Sequence, residues 1–143
     1  MVIILIIVSC TQIDVKSVLE KYLWQKNLVL IFAPVENDEQ FVKQQKIINH
    51  ILPEIRNAEL VQWKLVHNDR IVINKETKPH LFTKPFYKYF KVNPDEFAII
   101  IIGKDGVEKL KSNKLISYES LVGHLDISLE FHHTLDEIKK LNL

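Results

Sequence analysis

Three stretches of this chain are apolar at every position, residues 2–8, 28–33 and 97–102, and the remainder mixes apolar and polar residues with recognisable periods. Leu28 to Ala33, introduced by Asn27 and stopped by Pro34, and Phe97 to Ile102, stopped by Gly103, predict strands covered on both faces. Leu60 to Val66 alternates, with Val61, Trp63 and Leu65 set against Gln62 and Lys64, and predicts a second strand. Val15, Val18, Leu19, Tyr22 and Leu23 keep helical spacing behind Asp14, whose side chain is placed to accept a backbone N–H as N-cap. Glu36 to Gln40 reads as a second helix start. Asn37 is the expected cap, Gln40 takes the capping-box position, and Asp38 and Glu39 suit the positive end of the dipole. Phe41, Gln44, Gln45, Ile48 and Leu52 continue that helix until Pro53 bends or ends it.

Arg70 to Asn74 predicts a short strand, and residues 75–91 form the least regular stretch, broken by Pro79 and Pro85. A short helix carrying Phe86, Tyr87, Tyr89 and Phe90 closes it, before Asn93-Pro94 interrupts the chain. Gly103-Lys104-Asp105-Gly106 has hairpin-turn composition and leads into a strand over Val107 to Lys111. Ser117 is placed to cap a helix with Leu121, Val122 and Leu125, and Leu135, Ile138 and Leu141 give the tail an amphipathic character. Strand and helix alternate and then end in an antiparallel pair. That order predicts an α/β fold, a three-layer sandwich of the thioredoxin type with a central mixed sheet of four or five strands. Residues 14–143 read as one domain without internal repeats.

The first ten residues stand apart. Val2 to Val8 are too few to cross a bilayer, which needs roughly 20 apolar residues, but have the length of a signal-peptide hydrophobic region. Ile7-Val8-Ser9-Cys10 is similar to a bacterial lipobox, in which the cysteine is acylated and becomes the mature N-terminus. On that reading Cys10 is the lipidation site, and the domain is anchored to a membrane on the periplasmic side of the envelope or at the outer membrane. The stretch lacks a basic leading region, so either the true start lies upstream or the segment is an apolar strand packed on the sheet with Cys10 buried.

Composition narrows the chemistry. Three glycines cannot build a glycine-rich phosphate loop, and 19 basic residues against 18 acidic ones remove the electrostatic case for nucleic acid as a partner. Lysines interleave with aromatics from Lys84 to Lys91, which suits a base-stacking platform, but helical spacing favours aromatics packed on the sheet and lysines in water. Six histidines are scattered, without metal-ligand spacing, and no Gly-x-Ser-x-Gly elbow exists. No cofactor is expected.

The chain resembles the 4174 family of domains of unknown function, which also forms the closing domain of some vertebrate secreted matrix proteins. The likeness rests on Tyr22, Trp24 and Lys26 at the end of the first helix, Phe32-Ala33-Pro34, and the acidic helix start with Gln44. It continues through Gly103-Lys104-Asp105-Gly106, Lys109-Leu110 and Asp126, covering about residues 15–126. Val107 stands where the family often has a further glycine. Ser128-Leu129-Glu130-Phe131 replaces the Met-Pro-Met-Arg-like segment that commonly follows the aspartate. The resemblance implies a thioredoxin-like fold, peroxiredoxin-like in outline, with no established activity.

In thioredoxin-like enzymes the reactive thiol lies where the first central strand meets its helix, because the helix N-terminus stabilises a thiolate. Here Val35 to Glu39 occupy that place, and the chain's one cysteine is Cys10. Thiol chemistry is therefore not expected of the domain itself. Glu36, Asp38 and Gln44 are candidate binding residues for a cation or a partner's basic side chain, against the plainer role of helix capping. Lys104 and Asp105 are candidates at a strand end, against the plainer role of turn formation. The leading expectation is a non-catalytic binding domain with another envelope protein as partner. The alternative is an oxidative-stress or peroxiredoxin-like enzyme working without a catalytic cysteine of its own.

Overall fold

The computed structural model describes residues 13–55 and 59–125. Cys10 and the apolar segment before it, Asp126, the paired histidines His132 and His133, and the amphipathic tail lie outside the described residues. Within them the order is α1 (Val15–Glu20), β1 (Asn27–Ala33), α2 (Glu39–Ile55), β2 (Leu60–Val66), β3 (Arg70–Ile73), β4 (Glu76–Phe82), α3 (Lys84–Phe90), β5 (Ala98–Ile102), β6 (Glu108–Ser112) and α4 (Tyr118–Gly123). The strands form one mixed sheet in the order β4-β3-β2-β1-β5-β6. β1 runs parallel to β2, from Asn27 opposite Leu60 to Ala33 opposite Val66, and antiparallel to β5, with Leu30 opposite Ile100. The α/β class expected from the alternation holds, with six strands rather than four or five.

Helices cover both faces, which is why β5, and β1 after its first residue Asn27, carry no polar positions. Leu28, Leu30, Phe32, Trp63 and Leu65 face α1 and α3, where Val15, Phe86, Tyr87 and Phe90 close over them. Val29, Ile31, Ala33, Ile99 and Ile101 face α2 and α4, against Phe41, Ile48, Leu121 and Leu125. Rings fix the first layer. Trp63 meets Tyr22 edge-on at 5.6 Å and Phe86 at 5.6 Å, while Phe32 meets Tyr87 edge-on at 5.0 Å. Such pairs add about 0.5–1.5 kcal/mol each beyond their buried area. Of the aromatics in the interleaved segment, Tyr89 alone is exposed among the described side chains of α3.

The sixth strand is β4. Asn74 and Lys75 both have positive φ, 48° and 73°, and form a two-residue loop between Ile73 and Glu76, which are register partners. This is the twist that primed hairpin turns require, usually supplied by Asn-Gly. Asn74 Oδ1 accepts from the Gln62 N–H at 2.9 Å, and the Asn74 N–H donates to the Gln62 carbonyl at 2.9 Å, so the loop is tied to β2. Pro79 is tolerated because β4 is an edge strand.

Three further expectations are corrected. Asp38, not Asn37, caps α2: its Oδ1 accepts from the Phe41 N–H at 2.9 Å, which leaves Gln40 out of any capping-box position. Asp14 has the extended backbone of an N-cap, but its carboxylate accepts from the Ser17 hydroxyl at 2.7 Å and no backbone N–H is capped. The backbone of α2 continues through Pro53 to Ile55, since a proline in the last turn removes one hydrogen bond without preventing helical dihedrals. Ser117 does cap α4, accepting from the Ser120 N–H at 3.2 Å.

The β5–β6 turn is closed by the Gly106 N–H donating to the Gly103 carbonyl at 2.9 Å and the Gly103 N–H to the Val107 carbonyl at 3.0 Å. Gly106 has φ 76°, and a Cβ added there would lie 2.9 Å from Leu23 Cδ1. The dihedral favours glycine, whereas the Leu23 methyl, at the end of a flexible side chain, can give way. Gly106→Ala should lower unfolding stability by about 1–2 kcal/mol, read as a lower urea midpoint at unchanged slope.

Candidate functional site

Open α/β sheets bind ligands beyond the carboxyl ends of their strands, and here β1 and β2 end side by side at Ala33 and Val66. That end is filled from within the chain. Tyr87, presented by α3, has its hydroxyl 2.9 Å from the Ala33 carbonyl and 2.9 Å from the Leu65 carbonyl. The Thr83 hydroxyl donates to the Val66 carbonyl at 2.9 Å, and the His67 N–H donates to the Ala33 carbonyl at 2.9 Å. The His67 ring stands edge-on to Tyr87 at 5.6 Å. Carbonyls that a ligand could have met are thus satisfied by buried side chains. Burial raises the Tyr87 phenol well above its ordinary value of 10.0, so the hydroxyl remains a donor through the physiological range.

The acidic helix start lies at the same end. Asp38 is committed to the α2 cap. Glu36 is exposed, and among the described residues its carboxylate has no hydrogen-bond or ion-pair partner. Gln44, one turn and a half into α2, is fully buried and points away from this end. Its Nε2 donates to the Ile116 carbonyl at 3.2 Å and its Oε1 accepts from the Ile116 N–H at 2.9 Å. Both ends of the amide therefore clamp the segment before α4 onto α2 in the manner of a backbone pair.

Lys104 and Asp105 sit elsewhere, beside the start of β1, since β5 runs antiparallel to it. Roughly 20 Å, the length of β1 at about 3.3 Å per residue, separates them from Glu36 and Asp38. Lys104 is ion-paired with Glu59, the residue before β2. The Asp105 carboxylate accepts from Lys109 Nζ at 2.7 Å and from the Val107 N–H at 3.1 Å, and these bonds, Lys109 first, hold its pKa below the ordinary value. What this end brings together is part of the set of residues that carried the family resemblance, Tyr22, Trp24 and Lys26 with the Gly103–Gly106 turn, while Phe32-Ala33-Pro34 and the acidic helix start lie at the other end of β1. The Trp24 N–H donates to the Lys104 carbonyl at 2.6 Å, Leu23 packs on Gly106, and Tyr22 and Lys26 line a cleft of about 220 Å³ with Gly103 and Asp105. Trp24 itself is 73% exposed at φ 63°. A large ring shown to water from a left-handed backbone is an unfavourable arrangement that this turn holds in place.

Sequence periodicity missed Tyr87, Thr83 and Lys64. Lys64, one of the two polar residues that alternate with Val61, Trp63 and Leu65, lies half-buried on the face that α2 packs against, beside Ile31 in register. Its place between Trp63 and Leu65, in a strand whose other polar residue is Gln62, was the available signal. Among the described residues no three metal-ligating side chains gather, and no helix is long and apolar enough to cross a membrane.

A mixed α/β domain of three layers, with the carboxyl ends of its parallel strand pair sealed by hydroxyl side chains, is the class of protein this geometry defines. Its family follows from a match over residues 18–128 to the family described as "Domain of unknown function (DUF4174)", and the chain belongs to that family.

Two consequences of the buried polar contacts can be measured. Gln44→Ala strands the Ile116 N–H and carbonyl without a partner and should cost about 1–3 kcal/mol of unfolding free energy. Tyr87 favours folding through its protonated form; because the folded pKa is the higher one, its contribution is complete below the unfolded value near 10.0 and declines as pH rises above it. In an alkaline titration followed by tyrosinate absorbance, one of the four tyrosines should ionise only together with unfolding, and Tyr87→Phe should remove that phase.

Proposed function

We propose that this domain binds rather than catalyses, as a lipid-anchored module of the bacterial cell envelope that is tethered through Cys10 and recognises another envelope component. The observation that carries the reading is what occupies the strand ends. Where a thioredoxin-like enzyme would place a nucleophile, at the junction of β1 and α2, this chain places Val35 to Glu39, and Asp38 spends its carboxylate on the helix cap. Tyr87 and Thr83 fill the adjoining crevice with hydroxyls that already bond backbone carbonyls. Neither hydroxyl is hydrogen-bonded to a described base, since both are engaged with backbone carbonyls and the His67 ring meets Tyr87 only edge-on at 5.6 Å, and Tyr87 is held protonated by burial.

A thioredoxin-like ancestry is supported by the strand order β2-β1-β5-β6, with the α2 crossover between the parallel pair and an antiparallel hairpin on the other side of β1. The hairpin of β3 and β4 widens that core at one edge. The tether is supported by the sequence Ile7-Val8-Ser9-Cys10 and the change to polar residues directly after it. Two acyl chains and an amide-linked third would supply durable anchoring, since each buried methylene contributes about 0.8 kcal/mol.

Palmitate should label the wild-type chain in a bacterial host and leave Cys10→Ser unlabelled; an intact Met1 on the mature wild-type protein would refute the anchor. The full chain and its Cys10→Ser variant should both show no turnover in insulin-reduction and peroxide-consumption assays. Consumption of either substrate above the uncatalysed rate would overturn the binding reading.

A further inference from the structure

Beside the sealed strand ends, α2 does not reach the edge of the sheet, and the uncovered strip forms a groove of about 340 Å³. Its apolar side is formed by Val42 and the almost fully buried Phe41 from α2, Val66 from β2 and Val72 from β3, and its cations are Lys46, Lys64 and Arg70 from the same three elements. Lys64 and Val72 are register partners, so the ammonium and the apolar surface are adjacent on one face. The groove also contains the carboxylates of Glu36 and Asp69. Asp69 Oδ1 accepts from the Arg70 N–H at 2.7 Å and is turned to the backbone. The Arg70 guanidinium rests over the Phe82 ring at 5.6 Å.

Among the described residues Lys46 and Lys64 both lack an ion-pair or hydrogen-bond partner, and of the two Lys64 is the one partly removed from water. It is half-buried, desolvation is the main influence lowering its pKa, the neighbouring charge of Lys75 lowers it further, and Glu36 supplies the one opposing attraction. Among the described residues no ion pair or hydrogen bond reaches its ammonium. A cation partly removed from water and lacking an adjacent anion gains from a bound one. Three cations against two carboxylates leave one positive charge in excess, which matches a monoanion. The volume lies at the small end of the range for ligand sites, and the apolar side suits a short hydrocarbon body.

We propose that the groove between α2 and the β2–β3 edge binds a small amphiphilic carboxylate, its charged group on Lys64 with Lys46 and Arg70 nearby and its apolar body along Phe41, Val66 and Val72. This deepens the binding reading by naming a ligand class beside the sealed site. The two fail separately: loss of carboxylate binding leaves the absence of turnover standing, and turnover would overturn the binding reading without emptying the groove.

Octanoate titrated into the isotope-labelled full chain should shift the backbone amides of Phe41, Val42, Lys64, Val66 and Val72, observed by heteronuclear NMR. Octanol, with the same chain and no charge, should bind roughly tenfold more weakly, as should octanoate to Lys64→Met, while Lys64→Arg should retain affinity within about threefold. Added salt should weaken octanoate and leave octanol unaffected. Equal affinity for octanoate and octanol, unchanged octanoate affinity in Lys64→Met, or shifts centred on another face would each overturn the assignment. Should Lys64→Met fail to fold, the octanol comparison and the salt series decide the matter on the unaltered chain.

Discussion

Everything in this molecule is arranged around the burial of β1. All seven residues from Asn27 to Ala33 are buried, so every backbone N–H and carbonyl of the strand needs a partner inside the protein. The parallel neighbour β2 and the antiparallel neighbour β5 meet that demand along its length. Its side chains project alternately into two separate apolar clusters, one beneath α1 and α3 and the other beneath α2 and α4. Three layers are the consequence, for a strand apolar on both faces must be covered on both.

The same demand governs the strand ends. At the carboxyl end the ladder between β1 and β2 runs out, and the carbonyls of Ala33, Leu65 and Val66 are met by Tyr87, Thr83 and the His67 N–H. At the amino end the Asn27 N–H donates to the Glu59 carbonyl, Glu59 pairs with Lys104, and the Lys104 carbonyl accepts from Trp24. One end is closed by hydroxyls delivered from a helix, the other by a turn that grips the loop before the strand. The residues of the family pattern at the amino end are therefore explained first as architecture: Gly106 admits Leu23, and Asp105 orders its own turn.

The binding reading proposed above turns on the surfaces that flank the strand ends. The carboxyl-end crevice carries no free nucleophile among the described residues, and its hydroxyls are engaged with the backbone. What stays open is the strip of sheet that α2 leaves uncovered, where Lys64 and Val72 lie side by side. Widening the sheet by the β3–β4 hairpin created that strip, because α2 spans the central strands and not the added edge.

The sequence alone determined the α/β alternation, the doubly covered character of β1 and β5, the hairpin at Gly103 to Gly106 and the cap at Ser117, all of which depend on residues close together in the chain. It also placed Val35 to Glu39 at the helix start after β1. It did not reveal β4, because Asn74-Lys75 lacks the glycine that usually marks such a turn and Glu76 to Phe82 is exposed on much of both faces. Nor did it distinguish Asp38 from Asn37 as the cap. Tertiary structure alone decided that Gln44 clamps Ile116 across 72 residues, that Tyr87 reaches Ala33 across 54, and that Lys64 is drawn partly out of water beside α2. The physical reason is range: periodicity records which residues share a face, whereas a buried hydrogen bond or a half-buried charge depends on which distant segment folds over that face.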